Sequence, residues 1–435
     1  MRALLKRIFT KGTFASNVAT LSSGTAIGQL SVILAAPLLS RLFTPADFGQ
    51  LQYILSIALI LGALSTLRFE MALPLANKTI DAIHILILAL SLATIMAIFT
   101  LILFIIDPPL ISRLYQSLEM NSLVYFVPFI LFLEANNSIF TFWFTRTKNF
   151  KASSIGKSFL GFGTALAQLT IALSGFVSGV GLLLGYLIGQ MVSVTWYVVT
   201  FFRTREVLPS RSISLKGMLT QAKIHKNFPL FSSWNVVLNT LARNLPPLLL
   251  VSYFSIAEAG FYAIGIRLLN IPLNTLGMSV GQVYFQQIAR YREQSIPIMP
   301  LLMSTVGKLI GIIVIPLLIT FFWGEELFGF IFGDSWLIAG KIASIMVPFY
   351  FMRFIASPIS TIFAVMGKQY LGLIWQAMYT VGTFGSFFFT RSYNDFNLTI
   401  QVYSLTGAAL FLLLLLMVVY TTRKHDNNST PNHAL

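Results

Sequence analysis

The chain has 435 residues, of which 56% are hydrophobic and only 10% charged, and its formal net charge is +15. Soluble domains are roughly a quarter charged, so no water-soluble core can absorb this apolar excess. With no cysteine in the sequence, disulfides, thiolate nucleophiles and thiolate metal sites are excluded.

From the amino terminus, residues 1–14 carry Arg2, Lys6, Arg7 and Lys11 ahead of a long apolar stretch without a small-residue cleavage site. Such a start reads as retained and interfacial rather than as a cleaved signal. Predominantly apolar windows follow at 17–40, 48–74, 82–106, 122–145, 153–174 and 179–202. A second set lies at 228–253, 260–287, 300–323, 339–366, 371–390 and 397–421, the 260–287 window being polar and interrupted. Each can cross about 30 Å of hydrocarbon at the helical rise. Runs such as 408–420 are apolar on every side, which fits a lipid-facing helix and not the alternating segments of a transmembrane barrel. The predicted class is an all-α integral membrane protein of about twelve transmembrane helices.

The connection at 203–227 is long, basic and polar, and it divides the windows six and six. The expected organisation is a six-helix bundle over 1–202, a cytoplasmic linker over 203–227, a second bundle over 228–421 and a polar cytoplasmic tail over 422–435. The halves also resemble each other. FTPADFG at 43–49 aligns with FSIAEAG at 254–260, and VPF at 127–129 aligns with VPF at 347–349. At the same distance beyond each VPF come KNF at 148–150 and KQY at 368–370. Six is an even number, so both halves enter the membrane in one orientation, related by a pseudo-two-fold axis along the membrane normal.

Basic residues encode orientation in the short connections. With both termini in the cytoplasm, the inner connections hold nineteen of the 29 Lys and Arg residues: Arg2, Lys6, Arg7, Lys11, Lys78, Arg146, Lys148, Lys151, Arg203, Arg205, Arg211, Lys216, Lys223, Lys226, Arg290, Arg292, Lys368, Arg423 and Lys424. The outer connections then hold Arg41, Arg113, Lys341 and Arg391, with most of the acids, among them Asp107 and Glu119. These loops are too short to build a nucleic-acid surface, so the positive charge speaks for topology and not for nucleic acid.

Charged side chains left inside the windows cost about 2.5 to 3.5 kcal/mol each on insertion scales. Arg243, Arg267, Lys308 and Arg353 have no acidic residue within their own helices. They continue polar stripes at helical spacing: Asn235, Asn239 and Arg243; Arg267, Asn270 and Asn274; Arg353, Ser357 and Ser360. Such faces belong toward a bundle interior or a wet cavity, so the expected substrate-binding set is Arg243, Arg267, Lys308 and Arg353 with Asn239, Asn270 and Asn274. Snorkelling to the interfaces is the alternative for Arg267 and Lys308.

The first half is mixed in sign. Arg68 and Glu70 close the second window; Glu134, Ser138 and Thr141 share a face of the fourth; Lys157, Gly161, Thr164 and Gln168 share one of the fifth. An isolated carboxyl in low dielectric can take up a proton, which makes Glu134, with Glu70 and Arg68, a candidate for proton or ion coupling. Arg68 and Glu70 form, alternatively, a local ion pair. Pro37, Pro74, Pro128, Pro246, Pro247, Pro272, Pro316, Pro348 and Pro358 fall within the windows and favour kinks.

No phosphate-binding glycine loop, HExxH pair, nucleophile elbow or cluster of metal ligands is present in the sequence, and His84, His225, His425 and His433 are scattered. An enzyme, a cofactor protein or a metal site is therefore not expected.

SRLFTPADFG at 40–49, preceded by Asn17, Gly24, Thr25, Gly28 and Gln29, resembles the Wzx-type polysaccharide flippase family, whose superfamily also contains MATE-type multidrug extruders and lipid II flippases. The resemblance implies two six-helix bundles facing each other in a V. It implies alternating access that carries an undecaprenyl-pyrophosphate-linked oligosaccharide, such as an O-antigen unit of lipopolysaccharide, to the periplasmic leaflet of the bacterial inner membrane. It also implies membrane lipids, a polysaccharide polymerase and its chain-length machinery as partners, with drive from a proton or sodium gradient or the membrane potential. A pyrophosphate suits unpaired cations. The rival expectation is a MATE-like ion-coupled exporter of organic cations, whose cavity would favour carboxylates.

Overall fold

Each apolar window is occupied by helix in the computed structural model, which describes residues 14–106, 123–204, 213–294 and 296–429. Arg2, Lys6, Arg7, Lys11, Asp107, Arg113, Glu119, Arg205, Arg211 and His433 lie outside the described residues. The chain divides between Thr240 and Leu241 into two compact units, a boundary that falls inside one helix.

The first unit contains α1 (Phe14–Leu42), α2 (Pro45–Gly62), α3 (Thr79–Ile106), α4 (Val127–Arg146), α5 (Phe150–Leu173), α6 (Gly179–Arg203), the short α7 (Leu215–Ile224) and the start of α8 (Ser233–Tyr253). The second holds the rest of α8, then α9 (Ile256–Pro272), α10 (Met278–Glu293), α11 (Met299–Phe332), α12 (Leu337–Ile345), α13 (Val347–Ile359), α14 (Ile362–Val365), α15 (Gln369–Thr390) and α16 (Phe396–Ser429). Among the described residues, eight helical stretches are long and apolar enough to cross a membrane: α1, α3, α4, α6, α9 with α10, α11, α13 with α14, and α16. The remaining four windows, at α2, α5, α8 and α15, are helical but carry more polar and small residues.

In α5 those polar positions serve packing. The face shared by Lys157, Gly161, Thr164 and Gln168 is a seam toward α1 and α6. A side-chain carbon on Gly161 would overlap the backbone of Gly28, and one on Gly189 would overlap Thr164. Gln168 donates to the Leu182 carbonyl of α6 at 2.9 Å. Small residues let two backbones approach where lipid offers no hydrophobic drive to associate.

The internal repeats have a local physical cause. Thr44 caps α2: its hydroxyl accepts from the Asp47 N–H at 3.3 Å, and the Asp47 carboxylate accepts from the Thr44 N–H at 2.9 Å. Ser255 caps α9 in the same way, accepting from the Glu258 N–H at 3.3 Å. Both motifs are capping signals at helix starts. VPF begins α4 and α13 with proline in the first turn, where its missing N–H is not needed. The turns that follow are offset by one residue. Lys148 has φ 55° and Gly367 has φ 68°, and closing bonds run from Asn149 N–H to Phe144 O (2.9 Å) and from Lys368 N–H to Phe363 O (2.8 Å).

Prolines mark only some of the breaks. Pro272 precedes a widened turn over Leu273–Gly277 that separates α9 from α10. In α11, however, the break is at Trp323 (φ −123°, ψ 24°), seven residues beyond Pro316. There the Thr320 carbonyl accepts from the Ser344 hydroxyl of α12 at 2.7 Å, so a neighbouring helix satisfies the acceptor that the break frees.

At one end of the second unit the helix termini are tied by charge. Asp426 accepts from the N–H groups of Ile298 (2.9 Å) and Met299 (2.8 Å) at the start of α11, and Arg292 donates to the Val365 carbonyl at the end of α14. Each charge matches the helix end it meets.

The seam gives a paired test. Gly161→Leu should abolish a monodisperse peak in detergent size-exclusion chromatography, because backbone stands where the new side chain would go. Gly311→Leu, on an exposed face of α11 with nothing within 4 Å of an added carbon, should leave the peak and the melting temperature unchanged.

Candidate functional site

In the second unit Arg353 stands on α13, with Phe349 and Tyr350 one turn earlier. Its guanidinium carbon lies 5.7 Å from the centre of the Phe349 ring and 5.6 Å from that of Tyr350. The Tyr350 hydroxyl accepts from the Asn270 amide of α9 at 2.9 Å. The side chains of Tyr262 (α9), Tyr379 (α15) and Tyr403 (α16) complete the surroundings, within electrostatic reach of Arg353. The Tyr403 ring centre lies 6.4 Å from that of Tyr262. All four tyrosines are buried, whereas Arg353 itself is half-buried. Phenols near neutral pH supply oxygen lone pairs and ring faces but no negative charge.

Arg243, exposed on α8, is close enough to Arg353 for the two positive charges to repel. Neither has a carboxylate within 4.0 Å among the described residues. Cations without a carboxylate partner favour an anion.

The other members of the expected set are placed less centrally. Asn270 is in the site through Tyr350. Arg267, one turn before it, is half-buried with no carboxylate partner among the described residues. Asn274 is exposed in the widened turn after α9, and Asn239 is exposed one turn before Arg243 on α8. Lys308 is exposed on α11, beside an open surface at Gly307 and Gly311. Ser360 turns back onto the Ser357 carbonyl at 2.7 Å.

A second polar centre lies in the first unit. The Glu134 carboxylate of α4 accepts from the Tyr186 hydroxyl and the Gln190 amide of α6. Gln190, 1% exposed, also accepts from Asn137. The Asn137 side-chain oxygen accepts in turn from Ser193 at 2.6 Å. Below it, Tyr197 donates to the Ser153 carbonyl at 3.1 Å. Thus Asn137, rather than Ser138, is the neighbour of Glu134 that enters the network. No basic side chain lies within 4.0 Å of Glu134 among the described residues, so its charge is met by neutral donors alone.

Arg68 and Glu70 form the local ion pair, at 3.1 Å with Glu70 1% exposed. Arg68 sits at φ 62° in the sharp turn after α2. Among the described residues no group of three or more His, Cys, Asp or Glu could hold a metal ion.

Tyr186, Gln190, Asn137 and Ser193 were absent from the sequence-derived set, as were the four tyrosines. Residues 186, 190, 193 and 197 follow helical spacing on α6, and that periodicity was the available signal. The tyrosines come from four separate helices, so no local pattern connects them.

The network predicts a stability effect. Gln190→Leu removes a donor from Glu134 and the acceptor of Asn137, and should destabilise the protein by about 1 to 3 kcal/mol, read as a lower melting temperature in detergent. Combining it with Glu134→Leu should give less than the sum of the two single effects.

Residues 38–341 match a family model described as polysaccharide biosynthesis protein, which covers more than half of the chain. No curated protein sequence matches. Among solved structures, the chain is similar to the lipid II flippase MurJ in an inward closed conformation, with TM-score 0.71 and 14% identity over 95% of this chain and 90% of that one. It is also similar to an inward-facing MATE multidrug resistance transporter of the MOP superfamily, with TM-score 0.66 and 13% identity over 95% and 96%. An outward-facing MATE transporter gives TM-score 0.64 and 13% identity over 96% of each chain. The chain belongs to the polysaccharide biosynthesis protein family, and its helical fold is similar to those of the lipid II flippase MurJ and of MATE transporters of the MOP superfamily.

Proposed function

We propose that the protein flips an undecaprenyl-pyrophosphate-linked oligosaccharide from the cytoplasmic to the periplasmic leaflet of a bacterial inner membrane, with both termini cytoplasmic. The observation that carries this reading is the pair Arg243 and Arg353, two adjacent cations without a carboxylate among the described residues. Two like charges in a low-dielectric setting repel strongly, and a pyrophosphate relieves that repulsion while forming charge-assisted hydrogen bonds to both. Arg267, Lys308, Asn239 and Asn274 extend the same path, and two six-helix bundles alternate its access.

Glu134 is the coupling residue in this scheme. Its carboxylate exchanges a proton, or receives a sodium ion, when the donors from Tyr186 and Gln190 rearrange. An inside-negative potential contributes about 2.3 kcal/mol per charge per 100 mV toward outward movement of an anion. The family match to polysaccharide biosynthesis supports a glycan-bearing cargo, and a polymerase with its chain-length machinery receives it on the far side. A MATE-like exporter of organic cations is the second reading, favoured by the fold and opposed by the charge of the arginine pair.

In cells dependent on this protein for surface polysaccharide, Arg243→Ala and Arg353→Ala should each lower export at least tenfold, with unchanged membrane abundance. Arg353→Lys, which keeps the charge but loses the planar fork, should fall between. Full export by the double alanine variant would refute the proposal. Accumulation of a cationic dye in the same variants, and not in wild type, would instead support drug efflux.

A further inference from the structure

We propose that α7 is an in-plane anchor whose outer face binds the anionic headgroups of the adjoining lipid leaflet, independently of what the protein transports. One side of α7 is fixed to the first unit. Its cap Ser214 accepts from Gly217 N–H at 3.1 Å and donates its own N–H to His84 Nε2 at 3.3 Å. Gly217 rests against the His84 ring so closely that any side chain there would overlap it. Gln221, buried, donates to Asp81 at 2.9 Å. Asp81 and His84 stand in the first turns of α3, so α7 lies where a membrane-crossing helix begins.

The opposite side is exposed among the described residues. Leu215 is 71% exposed and Leu219, one turn on, 55%; Lys216, Lys223 and Lys226 are exposed around them. From 213 to 257 the sequence contains no aspartate or glutamate, so no acid of this segment neutralises the lysines. The chain then passes through a widened turn over Phe228–Ser232 into α8, and Leu230 in that turn and Trp234 in α8 are 56% and 59% exposed. A tryptophan at a span entrance and leucines bordered by lysines are the elements of an interfacial helix: apolar side chains dip below the headgroups while the cations meet lipid phosphates. Free phosphate would satisfy the lysines but leave Leu215 and Leu219 in water, so the lipid surface is the occupant that matches both.

The cysteine-free sequence makes the test direct. Single variants Leu219→Cys and Thr220→Cys of the full chain, labelled with an environment-sensitive fluorophore, are placed in vesicles of phosphatidylcholine alone or with phosphatidylglycerol. A quencher carried on lipid chains should quench the label at 219 more than the one at 220, which lies toward the side of the helix. Adding phosphatidylglycerol should strengthen that quenching about twofold or more, since each lysine near an anionic surface changes local lipid occupancy about fivefold. Replacing Lys216, Lys223 and Lys226 by glutamine should remove the dependence on phosphatidylglycerol. Equal quenching of both labels by aqueous acrylamide in all vesicles would overturn the proposal, as that places the face in water. Protection from both quenchers would also overturn it, because protein would then cover the face.

Discussion

A positive charge inside a hydrocarbon slab must either reach water or be met by something negative. In the second unit that requirement is left open at Arg243 and Arg353. Phe349, Tyr350 and the tyrosine hydroxyls give Arg353 ring faces and oxygen atoms, which fix its direction without cancelling its charge. An acidic partner would have made the pair more stable and chemically silent. Neutral groups hold the arginine in place and leave its charge uncompensated.

The first unit treats its buried polarity in the opposite way. Glu134 is met by Tyr186 and Gln190, Gln190 by Asn137, and Asn137 by Ser193, while Arg68 is matched to Glu70. Buried networks of this kind are stable when each member is satisfied and costly when one is removed. The two units therefore share helix-start signals, Thr44 with Asp47 and Ser255 with Glu258, yet differ in what their interiors can do. One holds a carboxylate inside a closed set of neutral donors; the other holds cations inside an unfinished set.

The apolar windows and the capping motifs were legible because they are local: a run of some twenty apolar residues or a Thr-x-x-Asp signal needs no knowledge of its neighbours. Arg243 and Arg353 were legible for the same reason, each being a charge out of place. What remained hidden was the fate of uncharged polar residues. Gly161, Thr164 and Gln168 share a face by spacing alone, and that face becomes a tight seam because the facing helices present Gly28 and Gly189. Asn137 and Gln190 lie 53 residues apart and meet only because α4 packs on α6. Pro316 favours a kink in α11, but the break stands at Trp323, where a hydroxyl on another helix satisfies the freed carbonyl.

Polar residues in membrane helices thus have two outcomes, and composition around them separates the two. Where glycine, alanine and serine dominate, as along α5, backbones can approach and a polar side chain finds a carbonyl across the seam, as Gln168 finds Leu182. Where large aromatic residues surround the polar group, as on α13, ring faces of Phe349 and Tyr350 meet the guanidinium of Arg353. Arg353 lies in the second kind of setting, with rings on its own helix and tyrosines on three others. Those neutral neighbours leave its positive charge without a carboxylate within 4.0 Å among the described residues.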